Sequence, residues 1–110
     1  MQKTNITETL ANLDEHWSQR TVAEANGQLF KVAKGIGSTN WHKHDDQDEL
    51  FLIQKGSLRI EFRDDHVQLN PDDIFVVPKG VEHRPVADCE AEFLIVGLNI
   101  TSTKEGGKPN

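Results

Sequence analysis

Cysteine is almost absent from this sequence: Cys89 is the single one among 110 residues. One cysteine excludes an internal disulfide and is consistent with a reducing compartment. The N-terminus also lacks the apolar run of a secretory signal, so we expect a cytoplasmic protein. No segment approaches the ~20 apolar residues that a membrane span requires, and we therefore expect no membrane partner.

Basic residues are also in short supply. The chain has 12 Lys and Arg against 18 Asp and Glu, which gives a net charge of -6 and a pI of about 5.2. Nucleic-acid-binding domains usually present a basic face, so we expect no nucleic-acid partner. The few basic residues are scattered along the chain, which argues against a polyphosphorylated ligand. The length supports one domain.

Short apolar stretches separated by Gly, Pro, Asn and Asp predict an all-β protein, because these four residues favour turns. We predict strands at 29–36, 49–53, 58–62, 67–69, 74–77, 81–86 and 93–96, with a polar turn at 87–90. Residues 28–100 would form a sandwich or barrel. Residues 1–27 would form a short helical or extended segment that packs on it, and residues 101–110 a disordered tail.

Three histidines and one glutamate have the composition of a transition-metal site. His42 and His44 lie two positions apart, so in a strand both side chains point to the same face. Glu49 follows His44 at an odd offset, so the chain must bend between them, and the polar run 45–48 suits a bend. We predict that these three residues and His83 bind one divalent ion.

The spacing of these residues resembles the first motif of the cupin superfamily. His42, His44 and Glu49 fit that motif, and six residues separate Glu49 from Gly56. The second motif of the superfamily has Pro-x-Gly, two residues and a histidine, and residues 78–80 followed by His83 match it.

Three positions depart from the motifs. Six residues separate Gly35 from His42 and four separate Gly37 from it, whereas the motif has five residues between its glycine and the first histidine. Asp72 replaces the leading glycine of the second motif, and Ala87 replaces its final asparagine. None of these departures removes a metal ligand.

The closer resemblance is to small single-domain cupins labelled mannose-6-phosphate-isomerase-like, through residues 14–18, 41–44, 56–60 and 75–83. It implies a double-stranded β-helix, or jelly roll, in which the motif strands bring His83 to the other ligands. It also implies a metal-dependent enzyme, isomerase-like or dioxygenase-like, acting on a small polar oxygen-containing molecule. A non-catalytic cupin that binds a metal or a small molecule is the alternative.

The expected cofactor is one divalent transition metal. Imidazoles suit Fe, Zn and Ni, and the carboxylate extends the choice to Mn. Ligand histidines must be neutral, so metal affinity should fall as the pH drops from about 7 to about 5.

Further residues are candidates for the surroundings of the metal. Phe51 and Ile53 share the parity of Glu49 on their strand, so we predict that they line the pocket. Arg59 is the best placed of the basic residues to line it, with a solvated surface charge as the alternative. Trp41 should face away from the metal.

Several predicted strands are apolar on both faces, although a small barrel has only one interior. The outward apolar residues at 50–53, 74–77 and 93–96 therefore need a second cover. The N-terminal segment can supply part of it. Because the related small cupins commonly pair through their sheets, we also expect a homodimer.

Overall fold

The computed structural model describes residues 1–98, and they form a jelly roll preceded by a short helix, which confirms the predicted all-β fold. The elements are α1 (Ile6–Ala11), β1 (Arg20–Ala25), β2 (Gln28–Ser38), β3 (Glu49–Lys55), β4 (Leu58–Glu61), β5 (His66–Leu69), β6 (Ile74–Val77) and β7 (Arg84–Gly97). The predicted tail at 101–110 lies outside the described residues. Within them, no helix is long and apolar enough to cross a bilayer.

The long strand β7 joins the two layers of the jelly roll. One layer has the order β1-β2-β7-β3-β6, and β4 and β5 extend from the first part of β7. The start of β7 pairs with β4, and its second half pairs with β3 from Leu50 opposite Val96 to Lys55 opposite Glu92. Every pairing is antiparallel.

The core follows the two-residue period of the strands. On β3, Phe51 and Ile53 are buried, whereas Leu50 and Leu52 on the opposite face are only half-buried. The large inward side chains form one cluster: Trp17, Phe51, Ile53, Leu58, Ile60, Phe93 and Ile95. Burying each of the Leu, Ile and Phe side chains stabilises the fold by about 1.5–3 kcal/mol relative to exposure.

The N-terminal segment packs against the strand layer. Asn5 caps α1, since its side-chain oxygen accepts a hydrogen bond from the backbone N–H of Glu8 at 2.9 Å. Leu10 and Leu13 then bury themselves against Val32 on the outer face of β2. This contact covers part of the outward apolar surface.

Trp17 follows the helix and turns into the barrel. It adopts a positive φ of 71° and is buried, and its indole N–H donates to the carbonyl of Ile36 at 3.1 Å. Gly35 provides the space for the ring, since a Cβ there would lie 2.6 Å from the indole. Trp17 also contacts Phe93, with a distance of 6.0 Å between ring centroids.

The polar turn predicted at 87–90 is wrong, because these residues belong to β7. Gly35 of β2 pairs with Ala91 of β7, and Gly37 pairs with Ala87. One residue of β2 therefore lies opposite three residues of β7, 88–90, which form a bulge. The bulge exposes residues 88–90, which explains their polarity, and the two alanines point inward.

Strand β1 was not predicted, and it pairs with β2 so that the sheet begins at Arg20. All but one of its six residues are exposed, so its sequence carries no apolar alternation. Strand β6 was predicted as buried, but Ile74 and Val76 are 63% and 44% exposed. Their exposure reflects the position of β6 at the edge of the layer, where it pairs only with β3 among the described strands.

Candidate metal centre

Backbone hydrogen bonds bring three separate segments to one end of the barrel. His42 and His83 form an isolated antiparallel bridge, in which each N–H donates to the carbonyl of the other, at 3.0 and 2.9 Å. The carbonyl of His44 accepts a hydrogen bond from Gly80 at 2.8 Å, and Glu49 is the first residue of β3. The Asp48 carboxylate accepts from the N–H of Lys79, which ties the 45–48 bend to the loop before His83.

The four predicted ligands converge. One nitrogen or oxygen atom from each of His42, His44, Glu49 and His83 lies within 4.8 Å of all the others. Nε2 of His83 is 3.2 Å from Oε1 of Glu49, and Nε2 of His44 is 3.6 Å from Oε2. Three of the four residues are buried and His42 is half-buried, so this cluster reaches solvent through His42.

Backbone carbonyls set the orientation of two of the rings. Nδ1 of His42 lies 2.7 Å from the carbonyl oxygen of Asn40, and Nδ1 of His83 lies 2.9 Å from that of Val81. A carbonyl oxygen only accepts, so the proton in each pair must be on Nδ1. In the neutral ring, Nε2 then carries a lone pair and faces the cluster, which is the arrangement found in metal-binding histidines.

The cluster brings nitrogen and oxygen atoms that can bind a metal together at one point. When the histidines are neutral, the Glu49 oxygens and Nε2 of His83 all present lone pairs at hydrogen-bonding distance. Nε2 of His44 is buried and has no hydrogen-bond partner. A metal ion at this point would accept the lone pairs of these atoms. The 3.2 and 3.6 Å separations also match neighbouring ligands about 2.1 Å from a single ion.

Burial keeps two of these imidazoles neutral. Loss of hydration lowers the pKa of His42 and of His44 below the ordinary 6.5. This effect is only partly opposed, at His42 by the carbonyl of Asn40 and the charge of Glu49, and at His44 chiefly by the charge of Glu49. Neutral imidazole is the form that binds a metal ion. The donor set therefore fits one divalent transition ion at neutral pH.

The residues predicted to line the pocket lie in two different places. Phe51 and Ile53 point inward from β3 on the same face as Glu49 and belong to the hydrophobic core below it. Arg59 instead lies apart from the cluster, because it alternates with the buried Leu58 and Ile60 of β4 and so projects from the outer face. There its guanidinium pairs with Glu61 at 2.9 Å and with Asp88 at 3.3 Å.

Trp41 faces away from the ligands, on the outer side of the sheet. The guanidinium groups of Arg63 and Arg84 lie 4.1 and 4.9 Å from the centre of its ring. Arg84 also donates to Glu61 through two nitrogens, at 2.6 and 3.1 Å. These contacts support the outer side of the bridge between His42 and His83.

Sequence reasoning missed one charged residue of the interior, Lys31. Its side chain is 0% exposed, and it points inward from β2 together with Ala33. Burial lowers the pKa of Lys31, and the nearby Glu49 carboxylate opposes this effect. The available signal was a lysine inside the predicted apolar strand 29–36, at a position that shares the parity of Ala33.

Comparison with known proteins agrees with this architecture. A family model described as the cupin domain matches residues 28–97. The protein YdbB of Bacillus subtilis (strain 168) is 34% identical over 81 residues, which cover 73% of this chain and 72% of that protein.

Solved structures extend the comparison to three dimensions. A cupin-2 domain-containing protein from Shewanella frigidimarina matches with a TM-score of 0.81 and 40% identity, over 84% of this chain and 91% of its own. A hydroquinone 1,2-dioxygenase from Sphingomonas sp. TTNP3, solved with 4-hydroxybenzoate bound, has a TM-score of 0.70 over 83% of this chain and 70% of its own. At 16% identity, it shares the fold alone. From the matched residues and the agreement in fold, this chain belongs to the cupin family.

Proposed function

We propose that this cupin binds one divalent transition ion, Fe, Zn, Mn or Ni, through His42, His44, Glu49 and His83. The observation that carries the proposal is the convergence of one nitrogen or oxygen atom from each residue within 4.8 Å of all the others, together with a buried Nε2 of His44 that has no hydrogen-bond partner. The carbonyl groups behind His42 and His83 support it, because they direct Nε2 of each ring toward the cluster.

We further propose that the protein is a metal-dependent enzyme, isomerase-like or dioxygenase-like, acting on a small polar molecule that binds through oxygen. A bound ion would supply Lewis-acid chemistry or, if it is iron, a site for O₂. The chain contributes Glu49 as the anionic ligand and the apolar side chains of Phe51 and Ile53, which exclude water below it. The dioxygenase among the structural matches supports the fold of such an enzyme and not its substrate.

A non-catalytic binding role is the second candidate, and burial of the site favours it. His44, Glu49 and His83 are each at most 4% exposed, so a substrate must approach past the half-buried His42. A centre of this kind also suits storage of a metal or binding of a small ligand without turnover. In either role, a cytoplasmic location is proposed from the single cysteine.

Elemental analysis followed by a ligand screen tests the enzymatic proposal. Protein purified without added metal should contain about one transition ion per chain, with iron favouring oxygen chemistry and zinc Lewis-acid chemistry. Hydroxy acids, diketones and hydroxy-carbonyl sugars are then screened with and without O₂. Turnover that survives in Glu49→Ala and in metal-stripped protein would mean that the metal is not the catalyst. Binding without turnover would favour the second candidate.

Metal affinity should depend on pH in a direction set by the histidines. Burial lowers the pKa values of His42 and His44, so both stay neutral at pH 7 and bind protons only below about 6.5. Zinc affinity, measured by calorimetry, should therefore change little near pH 7 and fall steeply toward about pH 5. Without metal, the unfolded state binds more protons than the folded one, so stability should also fall in this range. A zinc affinity that is flat down to pH 5 would contradict a site built on imidazoles.

We also propose a homodimer that covers the β6 face, defined as Leu50, Leu52, Ile74 and Val76. These side chains form adjacent cross-strand pairs on the outer side of β3 and β6. Among the described strands, β6 pairs on one side only, so its other edge offers backbone groups for pairing, and a second copy would cover both this edge and the apolar face.

Light scattering tests the dimer. The wild type should have about twice the 12.4 kDa mass of one chain. Ile74→Glu should reduce the mass to that of one chain, because it places a charge in the interface. Ile36→Glu is the matched control, since Ile36 is also exposed but lies on β2, and it should leave the mass unchanged. A wild-type mass near 12.4 kDa would refute the dimer.

A further inference from the structure

A buried lysine lies beside the candidate metal centre. Lys31 on β2 is opposite Ile95 on β7, and Ile95 is opposite Phe51 on β3. Glu49 precedes Phe51 by two residues, so Lys31 and Glu49 point into the same interior from strands on either side of β7. Among residues 1–98, these two are the only buried Asp, Glu, Lys or Arg residues.

The charges of these two residues determine the charge of the centre. Lys31 and Glu49 carry opposite charges that cancel each other, and an imidazole that binds a metal ion is neutral. A divalent ion would therefore leave two positive charges without buried compensation. The carboxylate of Asp46 also interacts electrostatically with His44. Asp46 is exposed, however, and water screens its negative charge, so it compensates the charge of the ion only weakly. Uncompensated charge in a protein interior is costly, so a loaded centre favours an anion as its next ligand.

We propose that Lys31 makes the loaded centre selective for a carboxylate-bearing ligand, which binds the ion through oxygen while Lys31 compensates its negative charge. This inference rests on the proposed metal site and narrows its ligand from polar oxygen compounds in general to anions. Lys31 is thus a specificity-determining residue. Uncharged diketones and sugars of similar size would bind more weakly, since they leave the positive charge in place.

The same charge gives Lys31 opposite effects on the two binding steps. In the absence of an anion, the ammonium group attracts Glu49 and repels a divalent ion, so it weakens metal binding. Once the ion is bound, the ammonium group attracts the anion and strengthens its binding. The bound ion also attracts the anion directly, so metal and anion should bind with positive coupling, and by linkage each should raise the affinity for the other by the same factor.

Calorimetry on Lys31→Met tests the proposal, because methionine has a similar length and no charge. Zinc is the metal, and the ligand probes are glycolate and its uncharged amide, glycolamide. Relative to the wild type, Lys31→Met should bind zinc at least about tenfold more tightly, and the zinc-loaded variant should bind glycolate at least about tenfold more weakly. Glycolamide should bind weakly to both proteins. Lys31→Arg keeps the charge and should retain the preference for glycolate.

Lys55→Met is the control, since Lys55 is an exposed lysine of β3, and both affinities should be those of the wild type. Lys31→Met should strengthen zinc binding and weaken glycolate binding. These opposite changes distinguish an effect of charge from damage to the fold, because a distorted barrel would lose affinity for both zinc and glycolate. Unchanged glycolate affinity in Lys31→Met, or equal binding of glycolate and glycolamide by the wild type, would overturn the role of Lys31. Absence of zinc binding in the wild type would instead overturn the metal site itself.

Discussion

His44→Ala is expected to lose metal binding by more than about 100-fold, because losing only the hydrogen-bond partner of a metal ligand already costs about 10–100-fold. His44 supplies a buried nitrogen with no other partner, 3.6 Å from Glu49. Metal content after dialysis and calorimetric titration with zinc both measure the loss. His66→Ala, which changes an exposed histidine of β5, is the control and should retain the metal.

Thermal denaturation separates loss of the site from loss of the fold. A ligand that binds only the folded state stabilises it by about 2.7 kcal/mol at 100 times its dissociation constant. Zinc should therefore raise the melting temperature of the wild type and of His66→Ala, but not that of His44→Ala. Equal metal content in His44→Ala and the wild type would refute the assignment of His44 as a ligand.

Trp17→Ala should have the largest effect on stability. The ring is 5% exposed, lies directly against Gly35 and contacts Phe93, and its N–H bonds the carbonyl of Ile36. Truncating a buried aromatic side chain costs about 3–5 kcal/mol, a large part of the 5–15 kcal/mol that stabilises a typical protein. The free energy of unfolding in urea measures the loss.

Two further variants show whether the effect depends on the site of the ring. Trp41→Ala removes the same side chain from the half-buried outer face and should cost less than Trp17→Ala. Gly35→Ala leaves the ring in place but adds a methyl group 2.6 Å from it, so overpacking should cost about 1–3 kcal/mol. Equal losses in Trp17→Ala and Trp41→Ala would contradict the placement of Trp17 in the core.

Most of the strands and the four candidate ligands could be predicted from the sequence because both depend on short spacings. The two-residue period that puts His42 and His44 on one face also distinguishes Phe51 and Ile53 from their neighbours on β3. The bend at 45–48 and the Pro-x-Gly before His83 are likewise local patterns. The structure brings the four ligands within 4.8 Å, although metal binding itself stays a prediction.

Contacts between strands could not be predicted, because they depend on register. The polar residues 88–90 belong to β7, where they form a bulge opposite β2, although their sequence suits a loop. An edge position exposed Ile74 and Val76, although their sequence suits a buried strand as well as an exposed one. Arg59 illustrates the same limit, since its partner Asp88 is distant in the sequence.

The sequence by itself therefore determined the fold class and the residues able to bind a metal. Tertiary structure decided the electrostatics of the site. Lys31 and Glu49 lie on strands separated by β7, and only the pairing of β2 with β7 and of β7 with β3 brings their opposite charges into one interior. The physical reason is that side-chain direction follows from neighbours along the chain, whereas interaction between charges depends on distance through space.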